Sequence, residues 1–141
     1  MKFKGYQLFF SAIFFSGIIL CKMPVQAQQQ TIWAAPTTAT EIKNPFADKK
    51  DATEKGKVLF NSTCSMCHGN TGKGDGIAGI AITPRPKNLC SDNVQTQTDG
   101  ALFWKITTGN PPMASYKIPL TDMQRWALVN YIRQLKASDK K

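Results

Sequence analysis

Residues 64–68 read Cys-Ser-Met-Cys-His, and this pentapeptide restricts the fold of the chain more severely than any other stretch. Two thiols separated by two residues, with an imidazole directly after the second, is the spacing at which a polypeptide attaches a c-type haem. The thiols of Cys64 and Cys67 add across the two porphyrin vinyl groups, and one turn of backbone spans the distance between them. His68 is thereby delivered beneath the iron as the proximal nitrogen ligand. A chain that carries this motif must wrap around a flat apolar group.

The same cysteines serve other chemistries less well. A thioredoxin-like dithiol needs only C-x-x-C, and the sequence lacks the alternating strands and helices of that fold. A structural zinc site needs four ligands, usually as two separated pairs. The chain has one histidine and four cysteines, of which Cys21 falls in the N-terminal segment, so Cys90 is the only spare thiol of the later chain. A plain disulfide would leave His68 without a role.

The 141 residues suffice for one modest domain. The first 27 read as an export signal, with Lys2 and Lys4 before an apolar run from Leu8 to Leu20, and with Val25-Gln26-Ala27 as a small-residue cleavage site. The uncharged span from Gly5 to Cys21 is 17 residues, at the lower edge for crossing a bilayer, so a retained N-terminal anchor is the rival expectation. Lipoprotein processing at Cys21 fits poorly, because Leu20 stands where a small residue is preferred. Export agrees with the motif, since haem attachment requires reduced thiols delivered to an export-side assembly machinery. The expected location is the periplasm.

Loss of Lys2, Lys4 and Lys22 takes the 18 basic residues to 15 against 9 acidic, a formal +6. A moderately basic surface steers toward acidic protein patches or anionic lipid. Nucleic acid is a poor partner for an exported chain with no recognition motif.

Residues 28–51 are rich in Gln, Thr, Ala and Pro without a sustained period, and are expected to form an extended arm, with Trp33 and Phe46 able to tack it onto the domain. The domain proper is expected over residues 52–136, with 137–141 a solvated tail. A first helix from about Ala52 leads into the motif, and Gly56, Phe60 and Cys64 share one of its faces. Gly56 costs about 1 kcal/mol against alanine inside a helix, so it implies close approach of a second helix. Residues 69–76 hold four glycines in eight positions and read as a tight loop rather than a helix or strand. A P-loop is excluded by its missing Lys-Ser/Thr ending, and a calcium loop by too few acidic ligands. Ile77 to Ile82 reads as a short apolar turn. The Pro84–Leu89 stretch is rigid, and the carbonyl of Pro86, in preference to that of Pro84, is expected to accept the second ring N–H of His68. Asp99 is expected to cap a helix from Gly100 to Thr108 ended by Gly109. Leu102, Phe103 and Ile106 are expected in the core, and so is Trp104. A final helix starts after Thr121 or Asp122 and runs to about Lys136. It buries Trp126, Leu128, Val129, Ile132 and Leu135, while Arg125, Arg133 and Lys136 stay wet.

With a single histidine, bis-histidine ligation within the chain is excluded, and methionine is the natural second axial ligand. Met1 and Met23 lie in the signal, and Met66 sits on the proximal side. Met123, at the start of the last helix, is expected to pack in the core. Met113 lies in Asn110-Pro111-Pro112-Met113-Ala114-Ser115-Tyr116, between two helices, where prolines hold the loop with little conformational freedom. Met113 is the expected distal ligand.

Together these pieces resemble the class I cytochrome c family, in its small bacterial monohaem form, over roughly Ala52 to Lys136. Cys64-Ser65-Met66-Cys67-His68 and the Met113 loop carry the resemblance, and Pro86-Lys87-Asn88-Leu89 is similar to the family's segment behind the proximal histidine. The resemblance implies an all-α, cytochrome c-like domain wrapped around one covalently attached haem c. Its N- and C-terminal helices would cross, with Tyr131 against Gly56 and Phe60. It further implies a monomeric electron carrier rather than an enzyme. The donor would be a quinol-oxidising complex or a periplasmic dehydrogenase, and the acceptor a terminal oxidase or reductase. Lys73, Lys87, Lys105 and Lys117 flank the expected haem loops as a docking ring. A subunit fixed in a larger complex, and a haem enzyme or gas sensor whose Met113 can leave the iron, are the alternatives. The Gly-rich excursion over Gly69–Gly79 and the buried role expected for Cys90 depart from the family pattern.

Overall fold

The computed structural model describes residues 33–139. The expected signal at 1–27 lies outside the described residues, and among those that are described no β-strand is formed. No helix among them is long and apolar enough to cross a membrane.

The fold is organised by two crossing helices. α1 (Thr37–Thr40) and α2 (Lys50–Leu59) precede the motif. From α2 the chain continues without a break through one wide π-helical turn (Phe60–Cys64), where the Ser65 N–H reaches back to Phe60 O, into α3 (Ser65–His68). π-Turns widen a helix by one residue per turn and occur often at functional sites. After a 3-10 turn at Gly79–Ala81 come α4 (Asp92–Gln95), α5 (Asp99–Thr108) and α6 (Asp122–Asp139). α6 thus extends past the expected end at Lys136. Thr121 and Gln124 cap its start reciprocally, the Thr121 N–H donating to Gln124 Oε1 at 2.8 Å and the Gln124 N–H to Thr121 Oγ1 at 3.3 Å.

α2 packs on α6 more extensively than any other pair of elements. Gly56 allows it: a Cβ there would stand 1.9 Å from Ala127 O and 3.1 Å from Tyr131 Cβ. One turn on, the Phe60 ring meets Tyr131 at 5.2 Å between centroids with the planes tilted by 57°, a geometry favoured by aromatic quadrupoles. Phe60 is fully buried, and removing a side chain of that size from water is worth about 2–3 kcal/mol. The core grows from this crossing through Leu128, Val129, Ile132 and Leu135 of α6, Leu102 and Ile106 of α5, and Trp126 stacked on Phe103 at 4.1 Å. Cys90 is buried within it, its Sγ 3.3 Å from Thr71 O and 3.7 Å from Leu135 O.

Four expectations are corrected. The arm is folded from residue 33 on: Ala39 is buried, and its carbonyl occupies the space a Gly100 side chain would need, 2.0 Å from the missing Cβ. Asn44 fastens the same stretch by donating to Asp99 Oδ2 at 2.9 Å and Asn130 Oδ1 at 2.7 Å, while Asn130 donates to Phe46 O. Thr98, not Asp99, caps α5, its hydroxyl accepting from the Ala101 N–H, because the Asp99 carboxylate is held by Arg133 and Asn44. Arg125 is buried rather than wet. Met123 is 57% exposed and belongs to no core.

Burial raises the phenol pKa of Tyr131, with neighbouring Cys90 and Glu54 adding to it. The folded state therefore favours the neutral ring. Its contribution is fully present below the unfolded value of about 10 and is lost as pH rises above it, because the unfolded chain ionises first. Urea titrations at neutral pH and at about pH 10.5 should show a smaller alkaline loss of stability in Tyr131→Phe than in the parent protein. An equal loss in both would remove Tyr131 from the alkaline response.

Candidate functional site

The continuous rod from α2 to α3 brings Cys64, Cys67 and His68 onto one helical turn, and the Gly-rich loop folds back over that turn. The Gly74 N–H donates to His68 O at 2.8 Å, and the Ala78 N–H to Met66 O at 3.0 Å. Gly76 and Gly79 lie so close that Cβ atoms would stand 2.3 Å from Met66 O and 2.1 Å from Cys67 O. Only bare backbone fits against the motif at these two places. The Leu89 N–H then donates to Gly72 O at 2.7 Å, tying the proline segment to the same loop.

That segment supplies the carbonyl behind His68, one residue later than expected. His68 Nδ1 lies 3.3 Å from Lys87 O. A carbonyl can only accept, so Nδ1 is the protonated nitrogen of this contact, leaving Nε2 with its lone pair. Pro86 O instead faces Gly74, where it is 2.3 Å from the position of a Cβ. Burial lowers the His68 pKa and outweighs the opposing pull of the Lys87 carbonyl, so the ring favours the neutral form that ligates metal. Burial, and then the neighbouring Cys67, push the Cys64 thiol up to about 12. Cys64 packs against the core and Cys67 is half-buried, both as thiols outside any disulfide.

Met113 lies on the loop between α5 and α6. Asn110 and Met113 exchange both backbone hydrogen bonds, at 3.0 and 2.9 Å, around Pro111 and Pro112. The return limb is tied to the end of α5, where the Ser115 hydroxyl donates to Thr107 O at 2.7 Å and the Tyr116 N–H to Ile106 O at 3.1 Å. Tyr116 packs on the core beside Cys64, and burial followed by the two cysteines raises its pKa. The loops that flank the motif and Met113 expose apolar side chains: Ile77 is 81% exposed, Ile80 52% and Ile118 95%.

This arrangement fits a haem. Two thiols on one turn, an imidazole with its distal nitrogen open and an apolar fringe on two loops match its vinyl groups, its iron and its apolar ring. Among the described residues, no three His, Cys, Asp or Glu side chains form a metal cluster.

Of the lysines expected around the site, Lys87 and Lys117 are exposed. Lys105 is committed elsewhere: its Nζ donates to Gln97 Oε1 at 2.6 Å and lies 5.2 Å from the Trp33 ring centroid. Trp104 is only half-buried and faces Trp33 at 6.3 Å rather than entering the core.

An all-helical domain closed around such a turn is a c-type haem domain. The chain belongs to the cytochrome c family, whose model matches residues 53–136. Membership implies a covalently attached haem c and the work of an electron carrier. Among solved structures, a chain of the reducing HAO-like protein complex of Kuenenia stuttgartiensis is similar, at 25% identity and a TM-score of 0.51. The match covers 62% of the present chain and 44% of that one, so the present chain spans less than half the length of this relative. A search of curated protein sequences gave no match.

Proposed function

We propose that Cys64 and Cys67 hold the haem by thioether bonds, that His68 and Met113 ligate its iron from opposite faces, and that the domain passes single electrons between redox proteins of an exported respiratory chain. The observation that carries this reading is the pairing of both thiols with an imidazole whose Nδ1 faces the Lys87 carbonyl. When bound, the haem supplies a one-electron couple. With His68 and Met113 as its two protein ligands and the surrounding chain excluding water, the iron would have no place for a substrate, which favours outer-sphere transfer over substrate activation. A thioether ligand favours ferrous iron and raises the potential. The exposed Lys87 and Lys117 suit weak docking to acidic faces. Donors of the quinol-oxidising or dehydrogenase kind, and acceptors of the oxidase or reductase kind, fit a periplasmic carrier. The export signal expected at 1–27 is the basis for that location.

A second reading, a subunit fixed in a larger complex, is favoured by one observation: the similar solved chain belongs to a protein complex. Cell fractionation separates the two, since a carrier is released with the periplasmic contents and a fixed subunit is retained.

An absorption spectrum of the holoprotein in both redox states tests the ligands. The ferric form should show the weak red charge-transfer band of methionine–iron ligation, and Met113→Ala should abolish it. In that variant carbon monoxide should bind rapidly to the ferrous form. Its potential should fall by a sizeable fraction of the ~0.8 V range that axial ligands span. A parent spectrum without the band, or a variant that keeps it, refutes Met113 as ligand.

A further inference from the structure

Arg125 is 4% exposed, although it carries a charge and stands in the first turn of α6. Three carbonyls surround its Nη1: Tyr116 O at 3.0 Å, Lys117 O at 2.8 Å and Leu120 O at 2.8 Å. Its Nη2 donates to the Asp122 carboxylate, and the guanidinium carbon lies 5.1 Å from the Phe103 ring centroid. The Nε–H is buried without an acceptor among the described residues. A buried charge is expensive unless its hydrogen bonds are made, and a planar fork reaches several carbonyls at once where an ammonium cannot.

Those carbonyls belong to the irregular limb 116–120, whose ends pack through Tyr116 and Leu120 while its middle leaves Ile118 almost fully exposed. The loop from Gly109 to Leu120 is thus tied at three places: the Asn110–Met113 backbone pair, the end of α5 at Ile106 and Thr107, and Arg125. Met113 stands three residues before Tyr116, whose N–H is tied to Ile106 O and whose carbonyl accepts from Arg125. Without Arg125, Tyr116 O would keep only the Leu120 N–H at 3.3 Å, the Lys117 and Leu120 carbonyls would lose the guanidinium, and the limb would rearrange to reach water.

We propose that Arg125 is a positioning residue for the Met113 thioether, its guanidinium holding the return limb so that the methionine stays over the iron. This rests on the reading of Met113 as the distal ligand. Asp122 orients the guanidinium, and Phe103, itself stacked on Trp126, forms the wall against which it lies.

The test uses the ferric holoprotein and four variants: Arg125→Lys, which keeps the charge and loses the fork; Arg125→Met; Asp122→Asn, the mildest of the set; and Val94→Ala, a buried control that makes no hydrogen bond to the limb. Imidazole serves as the probe ligand, with the red methionine–iron band read in parallel. Arg125→Lys should weaken the band and bind imidazole about tenfold more tightly, because apparent affinity rises in proportion to the fraction of molecules with an open iron position. Arg125→Met should do so more strongly and Asp122→Asn more weakly, while Val94→Ala lowers thermal stability and leaves both readouts unchanged. If the parent shows the band and the two Arg125 variants keep it with parental imidazole affinity, Arg125 serves stability alone and the proposal fails by itself. If the parent lacks the band, the reading of Met113 fails, and this proposal with it. Should Arg125→Met not fold, Arg125→Lys and Asp122→Asn decide.

Discussion

A chain in which Cys64 and Cys67 are both replaced by alanine should accumulate without covalent haem. After denaturation, no haem should remain with the polypeptide on a gel stained for haem peroxidase activity, and acidified acetone should extract whatever haem the chain had picked up. The two thiols are the only groups on the motif turn that can add to the vinyl carbons, and the structure leaves them outside any disulfide. Each single replacement should keep one thioether and a covalent haem, with the absorption moved to longer wavelength by the surviving vinyl group. The double variant should also be less stable than the holoprotein. A bound group stabilises by mass action whatever state it binds, and a tether makes that contribution independent of haem concentration. Exposed Ile77, Ile80 and Ile118 would then remain in water, a surface that invites association. Haem that stayed with the denatured double variant would place the attachment elsewhere.

What the sequence disclosed and what it concealed divide along a physical line. Gly56, Phe60 and the apolar stripe of α6 were legible because helical period alone places them on facing sides, and a glycine within a helix signals a neighbour's backbone. The motif was legible because its chemistry is contained in five consecutive residues. Features that depend on backbone register across long separations were not. The carbonyl behind His68 belongs to Lys87 rather than Pro86, a difference of one residue set by how Gly74 seats Pro86 O. A carbonyl has no letter in the sequence. The stretch before α2 read as an arm because nothing local requires order there. Its order comes from the bare Gly100 surface and from Asn44, whose partners Asp99 and Asn130 lie 55 and 86 residues away. Arg125 departs from the rule that charges face water, since its partners are the carbonyls of an irregular limb. Its neighbour Met123 fails in the opposite sense, an apolar residue left exposed at a helix start.

Replacing Gly56 by valine should cost at least about 3 kcal/mol of stability, at the upper end of what overpacking exacts. Two effects compete. Removing a glycine from a helix interior is worth up to about 1 kcal/mol in propensity, less for a β-branched residue. Against this, the first added carbon would stand 1.9 Å from Ala127 O and 2.5 Å from Ala127 C, which are backbone atoms inside α6 and cannot rotate away. Relief requires α2 and α6 to separate, and separation loosens the Phe60–Tyr131 contact and the core behind it. The clash wins. Such a loss is a large part of the 5–15 kcal/mol typical of a domain, and for one of about this size it should lower the melting temperature by roughly 12 °C or more. Gly56→Ala should fall between parent and Gly56→Val, since a single methyl already meets the carbonyl. Lys57→Ala, one residue along on the exposed face, should change little. Because Phe60 opens the wide turn that delivers Cys64, the valine variant should also mature less haem per chain, measured as the ratio of haem to protein absorbance. A Gly56→Ala protein more stable than the parent by the full propensity gain would mean that the helices do not cross as closely as the structure places them.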